Sequence, residues 1–370
     1  MIIAFSFLTY NKREEENFSF ATLERISKAH SEHTFIFIFD KSYDGSLIFS
    51  ENIKTVVIDY EAKSPLRWLY YYNIKIPKIL KIYKADIFIS EKLGSLITKL
   101  PQILIAPDLE YIHQPAFLKK REKIFNEKFI PKFLKKATTI IVFSELEKRD
   151  IIKHFKINRE NIEVIYPGMD ENLKPIDFEK REIIKEKYAE GNEYFIYAGV
   201  IGPQKNLMNL LKAFSAFKKR QRSSMQLIIT GNRGKNYDDF AASLRLYRFK
   251  KEVKLLENLL PQQIREITAS GYAMVLPAVY EISANMVLQA MKFQLPVITS
   301  AKSALAEICG EAAIYFDPEN SKDIAEKMMM IFKDEELRKE LIEKGNEQVK
   351  KYSWDKSASA MWNVIEKKFS

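Results

Sequence analysis

Glu281 and Gln289 stand eight positions apart in GYAMVLPAVYEISANMVLQAM (Gly271 to Met291), which reads as a buried strand, a turn with an exposed acid, then a helix. Ala273 to Pro277 is a short apolar run, closed by a proline that cannot donate to a ladder. Tyr280 and Glu281 fall in the turn, and Ser283 or Asn285 is positioned to cap the helix. Glu281 is thus at a strand-to-helix mouth, where open α/β sheets bind ligands. An ordinary strand–helix unit with one solvated acid accounts for the same residues.

Two further mouths precede this one. Gly199 to Asn206 (GVIGPQKN) runs from a strand to a helix start and contains Gly202, Gln204 and Lys205. Helix N-termini attract phosphate, and Lys205 adds a full charge there. Gly231, Arg233, Gly234 and Lys235 end the next strand and offer backbone approach plus two cations. Each glycine alone is an ordinary turn signal. With Glu281 they make a pocket for a nucleotide diphosphate.

The first half lacks such a loop. The chain has 11 glycines, against roughly 26 at average usage. Only Gly45, Gly94 and Gly168 precede residue 190, and the first strand runs into LTYNKREEENF without one. No phosphate-cradling loop fits there, so this half suits an acceptor or a surface.

Positioning these mouths requires alternating strands and helices. Strand candidates Ile2–Leu8, Thr34–Phe39, Thr55–Ile58, Ile87–Ser90, Gln102–Ala106, Thr139–Phe143 and Glu163–Tyr166 enclose helical segments Phe18–His30, Tyr71–Tyr83, Phe125–Lys136 and Glu145–Phe155. A second series opens with Tyr194–Ala198 and continues through Gln226–Thr230, Val253–Leu256, Ala273–Leu276, Pro296–Thr299 and Ala313–Phe316. Such alternation implies α/β architecture with mostly parallel, doubly wound sheets. The expectation is two Rossmann-like domains facing a cleft: 1–170 on the acceptor side, 171–352 on the donor side, and 353–370 as a helix crossing back to the first.

The 370 residues are 46% apolar and 29% charged, so the chain is globular rather than disordered. A lone cysteine, Cys309, excludes an internal disulfide framework. The four histidines show no metal-ligand spacing, so no metal is expected. No window approaches a membrane-spanning run, and the protein is expected to be cytoplasmic. Residues 63–84 hold six basic residues and no acid, and 119–136 hold eight against Glu122 and Glu127. Together they exceed the net charge of +10, so the rest is near neutral. Trp68, Tyr70, Tyr71, Tyr72, Phe125, Phe129 and Phe133 interleave the charge, a pattern that suits an anionic membrane surface. A solvated helix face over an aromatic core reads equally well, and no motif supports a nucleic-acid partner.

The chain resembles a family 4 glycosyltransferase of the GT-B fold, the retaining enzymes that move sugars from nucleotide donors. The similarity is continuous from about Ile103 to the C-terminus and weak before it. AGVIGPQKNLMNLLKAF is similar to the first strand–loop–helix of the donor domain, and LIITGNRG to its second strand and glycine turn. LPAVYE…VLQAM matches the stretch ending in the paired-glutamate motif, and PVITSAKSALAEICGEAAIYFDPEN also matches. APDLEYIHQPAFL, ATTIIVFSELEKRDIIKHFKI and IEVIYPGMD resemble the end of the acceptor domain.

The resemblance implies metal-free transfer from a nucleotide-diphosphate sugar to a glycan or lipid-linked acceptor, with Lys205, Glu281 and Asp108 as catalytic candidates. Gly199, Gly202, Gln204, Lys205, Gly231, Arg233, Gly234, Glu281, Ser283, Asn285 and Gln289 would line the donor side, and Asp108 and His113 the acceptor side. Several positions depart from the family pattern. Gln204 and Val200 stand where an arginine is usual, and Gln289 replaces the second acid. Ile282, Ser283 and Ala284 replace Gly-Phe-Gly, and Pro107-Asp108 replaces His-Asp. Two functions follow: a sugar transferase of surface polysaccharide or glycolipid assembly, or a catalytically impaired relative acting as a binding or scaffold partner.

Overall fold

The computed structural model describes residues 1–7, 18–42, 50–58, 64–282 and 285–367. The chain divides into two compact units, Met1–Asp170 with Ser353–Ser370, and Glu171–Tyr352.

The first unit carries seven parallel strands: β1 (Ile2–Phe7), β2 (Thr34–Phe39), β3 (Ile53–Val57), β4 (Ile87–Glu91), β5 (Gln102–Ile105), β6 (Thr139–Val142) and β7 (Ile162–Val164). Their order is β3-β2-β1-β4-β5-β6-β7, which reverses direction between β1 and β4. Runs such as TFIFIF in β2 are buried almost throughout because helices cover both faces of a parallel sheet. Phe7 stacks on Phe39 with ring centroids 5.1 Å apart, inside an apolar cluster that also includes Phe5, Phe35, Phe37, Ile89 and Ile103.

The connecting helices are α1 (Phe18–Ala29), α2 (Pro65–Tyr70), α3 (Ile76–Ile82), α4 (Glu110–His113), α5 (Lys120–Lys136) and α6 (Glu145–Phe155). A π-helical turn, Tyr71–Lys75, joins α2 to α3, where the Ile76 N–H reaches back to the Tyr71 carbonyl. The sequence calls for a plain helix over Tyr71–Tyr83. Pro77 explains the difference: its ring would collide with the carbonyl of residue 73 in a regular helix, and widening the turn relieves that. The same helix starts earlier than its apolar pattern does, because Pro65 occupies the first turn behind an extended Ser64.

The second unit carries β8 (Tyr194–Ala198), β9 (Gln226–Gly231), β10 (Val253–Glu257), β11 (Ala273–Leu276), β12 (Val297–Ser300) and β13 (Ala313–Phe316). All are parallel, in the order β10-β9-β8-β11-β12-β13, so the order reverses between β8 and β11. Its helices are α7 (Phe178–Ala189), α8 (Leu207–Gln221), α9 (Tyr237–Arg245), α10 (Pro261–Ala269), α11 (Asn285–Lys292), α12 (Ala304–Cys309), α13 (Ser321–Lys333) and α14 (Glu335–Val349).

The last helix, α15 (Trp354–Glu366), belongs to the first unit and packs on α1. Trp362 stacks on His30 at 3.6 Å between centroids. Gly168 makes the approach possible, since a Cβ there would fall 2.2 Å from the Trp354 nitrogen.

The two basic stretches come together through aromatic packing in the first unit. Trp68 of α2 meets Phe125 of α5 edge-on at 5.5 Å, and Phe125 stacks on Phe129. Leu66 (79% exposed) and Ile124 (52% exposed) stay on the surface among the lysines. Position 63 lies outside the described residues. Among the described residues no helix is long and apolar enough to cross a membrane.

Candidate functional site

In the second unit the loop after β8 crosses the carboxyl edge of the sheet and is stitched to the loop after β9. The Gly199 N–H donates to the Thr230 carbonyl at 3.0 Å, Ile201 to Asn232 at 2.8 Å, and Gly234 to Ile201 at 2.9 Å. Gly231 has φ +140°, and a Cβ on it would lie 1.8 Å from the Gly199 oxygen. The glycines therefore let two loop backbones touch each other. Gly202 and Gly234 both pack against Gln204, and Gly234 also against Val200.

Lys205 ends a single 3₁₀ turn (Pro203–Lys205), and its ammonium lies 2.7 Å from the Glu281 carboxylate. Both side chains are about one-fifth exposed, at 21% and 19%. Asn206 follows in a left-handed conformation at φ +59°. Its amide donates to the Pro277 carbonyl at 2.8 Å and the Pro318 carbonyl at 2.7 Å, tying the loop to the ends of β11 and β13. This anchor was not among the residues expected from sequence; an asparagine just before a helix was its only signal. Below the pair, the Tyr197 hydroxyl donates to the Val200 carbonyl at 2.7 Å. Burial, reinforced by the charge of Glu281, pushes that hydroxyl well above its ordinary range, so it stays a neutral donor.

Asn285 opens α11, and Gln289 donates to its side-chain oxygen at 3.1 Å. Gln289 is only 7% exposed, which suits a neutral amide better than a carboxylate. The Glu281 carbonyl accepts from the Ala304 N–H at 3.2 Å, so α12 braces the turn. Ser283 lies outside the described residues.

Arg233 is placed differently from the others. Its guanidinium pairs with Glu257 at the end of β10 through two bonds of 2.9 and 3.2 Å and lies 4.6 Å over the Tyr237 ring. Burial raises the Glu257 acid, but the bonds from Arg233 and Tyr237 outweigh it, and the net shift is downward.

In the first unit Asp108 accepts from the Glu110 N–H at 2.8 Å, at the start of α4. His113, at the other end of that helix, bonds Asp150 of α6 through Nε2 at 2.8 Å, with His154 edge-on at 6.3 Å. Asp150 was not expected from sequence, since it lies 37 positions away from His113. Among the described residues no group of three or more His, Cys, Asp or Glu is arranged to hold a metal ion.

Residues 179–348 match the family model of glycosyl transferases group 1, and residues 29–173 match that of glycosyltransferase family 4. An O-antigen chain mannosyltransferase B of Escherichia coli is 24% identical over 260 residues, covering 70% of this chain and 68% of that protein. An O-antigen chain mannosyltransferase of Salmonella typhimurium is 24% identical over 248 residues, covering 66% of this chain and 64% of that protein. The chain spans about two thirds of the length of these curated relatives. The crystal structure of Anabaena HepE in complex with UDP and glucose superposes with a TM-score of 0.72 at 14% identity, covering 99% of this chain and 100% of that one.

Proposed function

The chain belongs to the family 4 glycosyltransferases of the GT-B fold, and on that premise we propose that it moves a hexose from a nucleotide-diphosphate donor to a polysaccharide or lipid-linked acceptor with retention. The donor would sit at the carboxyl edge of the second sheet. The observation that carries this reading is the Lys205–Glu281 pair, held by Asn206 at the point where the strand order reverses. Ligands of doubly wound sheets bind at such switch points.

The chemistry follows from charge. Departure of a nucleoside diphosphate builds negative charge on its phosphate oxygens, and Lys205 beside the N-terminus of α8 offsets it. In the free protein Lys205 is engaged by Glu281. A bound diphosphate would take over the ammonium and leave Glu281 for the hydroxyls of the sugar. Gln289 keeps the capacity to bond ribose hydroxyls without a charge. No metal is needed for these steps. Mannose is the favoured sugar because the curated relatives are mannosyltransferases by name, and UDP and GDP are the first nucleotides to test.

The second reading, a binding or scaffold relative without turnover, is favoured by the Gly-Phe-Gly positions reading Ile282, Ser283 and Ala284. A thermal-shift screen of UDP, GDP, ADP and TDP sugars tests the first reading. Ligand at a hundred times its dissociation constant stabilises by about 2.7 kcal/mol. A folded protein that answers to none of them sinks it, and transfer that disappears in Glu281→Ala removes the second.

A further inference from the structure

Asn206 opens α8 without doing what an asparagine in that place ordinarily does. A helix-opening asparagine takes extended backbone and caps the first turn with its side-chain oxygen. Here the backbone is left-handed, at φ 59° and ψ 27°, and the side chain makes no capping bond. The main chain does the local work instead. Its N–H donates to the Pro203 carbonyl at 3.0 Å and closes the 3₁₀ turn, and its carbonyl accepts from the Asn209 N–H at 3.1 Å and starts the helix. The amide is left for other elements.

That amide carries two N–H donors and spends them on two carbonyls, of Pro277 at 2.8 Å and of Pro318 at 2.7 Å. Pro277 directly follows β11 and leads into the turn of Glu281, and Pro318 lies just beyond β13. Since β8, β11, β12 and β13 are consecutive in the sheet, one side chain fastens the loop of Lys205 to the ends of two other strands. Glycine would accept the left-handed backbone but supply neither bond. Asparagine is the residue that tolerates that backbone and still brings two donors.

We infer that Asn206 is a positioning residue for the donor: it fixes the backbone of Lys205 against the loop of Glu281, so that the ammonium stands ready for the diphosphate. A cation held in place beforehand costs no reorganisation when charge arrives. The inference rests on the transferase reading above and adds to it a residue that acts through Lys205. Removing Glu281 leaves the lysine backbone clamped, whereas removing the Asn206 amide releases it, so the two changes act on nucleotide affinity in opposite directions. Asn209 supplies the control. It bonds the same Pro318 carbonyl at 3.2 Å from within α8, and so anchors the helix rather than the Lys205 loop.

The test uses the full chain with Asn206→Gly, Lys205→Ala, the double variant and Asn209→Ala. Glycine keeps the left-handed backbone and removes only the clamp. Calorimetric titration with GDP and UDP should show Asn206→Gly weakening nucleotide binding about tenfold, the loss of a well-placed charged hydrogen bond. In the Lys205→Ala background the same change should matter by no more than about twofold, the scatter of independent sites. A loop that is only structural would give the full loss in both backgrounds. Acetylation by acetic anhydride without nucleotide, read by mass spectrometry, should label Lys205 several-fold faster in Asn206→Gly and at the wild-type rate in Asn209→Ala. Additive losses, unchanged labelling of Lys205, or an Asn209→Ala that matches Asn206→Gly overturns the inference. If neither nucleotide binds wild type, the transferase reading fails instead, and the labelling still decides whether Asn206 holds Lys205.

Discussion

The Lys205 ammonium and the Glu281 carboxylate lie 2.7 Å apart although 76 positions separate them in the chain. Their meeting follows from the sheet order, because β8 and β11 are neighbours and each residue follows its strand at the same edge. The pair gives the two residues opposite predicted effects. Lys205→Ala should weaken nucleotide binding about tenfold to a hundredfold, the loss of a charged hydrogen bond to phosphate. Glu281→Ala frees the lysine from a partly exposed ion pair of at most about 1 kcal/mol, so nucleotide affinity should rise by no more than about fivefold. Sugar transfer should nevertheless be lost in both. Calorimetric titration with GDP and UDP beside a transfer assay checks this, and weaker nucleotide binding in Glu281→Ala would contradict it.

A second prediction concerns the stitched loops. Gly231→Ala places a methyl group 1.8 Å from a backbone oxygen at φ +140°, where neither atom is a flexible side-chain end. It should cost about 3 kcal/mol or more, read as a lowered denaturation midpoint with the slope unchanged. Gly345→Ala is the control. It lies inside α14 and meets the Met291 side chain at 3.3 Å, where a small shift suffices and alanine favours the helix. A near-neutral Gly345→Ala with an equally mild Gly231→Ala would show that the loops do not need their contact.

Much of this framework is legible in the sequence because the strands are continuous apolar runs. TFIFIF and YFIYA can be little else, and parallel strands covered on both faces demand such runs. The positions of the candidate residues were also legible, since Lys205 and Glu281 fall in strand-to-helix mouths that periodicity locates and Gln289 falls inside the helix that follows. Their partners were not. Arg233 reads locally as a phosphate cation, yet Glu257, 24 positions later, holds it because β9 and β10 are adjacent. Asp150 on His113 and Asn206 on two prolyl carbonyls likewise depend on sheet order rather than on local pattern. The π-turn needed Pro77 and its packing to be seen together.

Acid should loosen the first unit through His33. Burial, with the α-amino group of Met1 and with His30, depresses its imidazole, while Glu32 and Glu366 act in the opposite sense. A depressed histidine binds fewer protons folded than unfolded, so stability is present above the unfolded value near 6.5. It is lost as pH falls from there through the folded value. His33→Gln should flatten this part of the pH–stability curve measured by urea unfolding. A wild-type curve with no slope between pH 7 and 5, or an unchanged slope in the variant, would count against the assignment.

The basic surface of α2, α3 and α5 should bind anionic vesicles through two separable contributions. Lys120, Arg121 and Lys123 stand on α5 beside exposed Ile124, and Arg67 stands beside exposed Leu66 on α2. Each basic residue near an anionic leaflet contributes about 1 kcal/mol, so replacing Lys120, Arg121 and Lys123 with alanine should weaken binding about a hundredfold. That loss should shrink at high salt, since exposed charges are screened over about 10 Å at 0.1 M and less above it. Leu66→Ser and Ile124→Ser act on apolar insertion instead, about 1.5–3 kcal/mol for a fully buried side chain, and their effect should persist in salt. Co-sedimentation with vesicles of phosphatidylglycerol and of phosphatidylcholine at two salt concentrations separates the two. Equal binding to both lipids, or a triple variant that binds like wild type, would make this surface an ordinary solvated helix face over the Trp68–Phe125 contact.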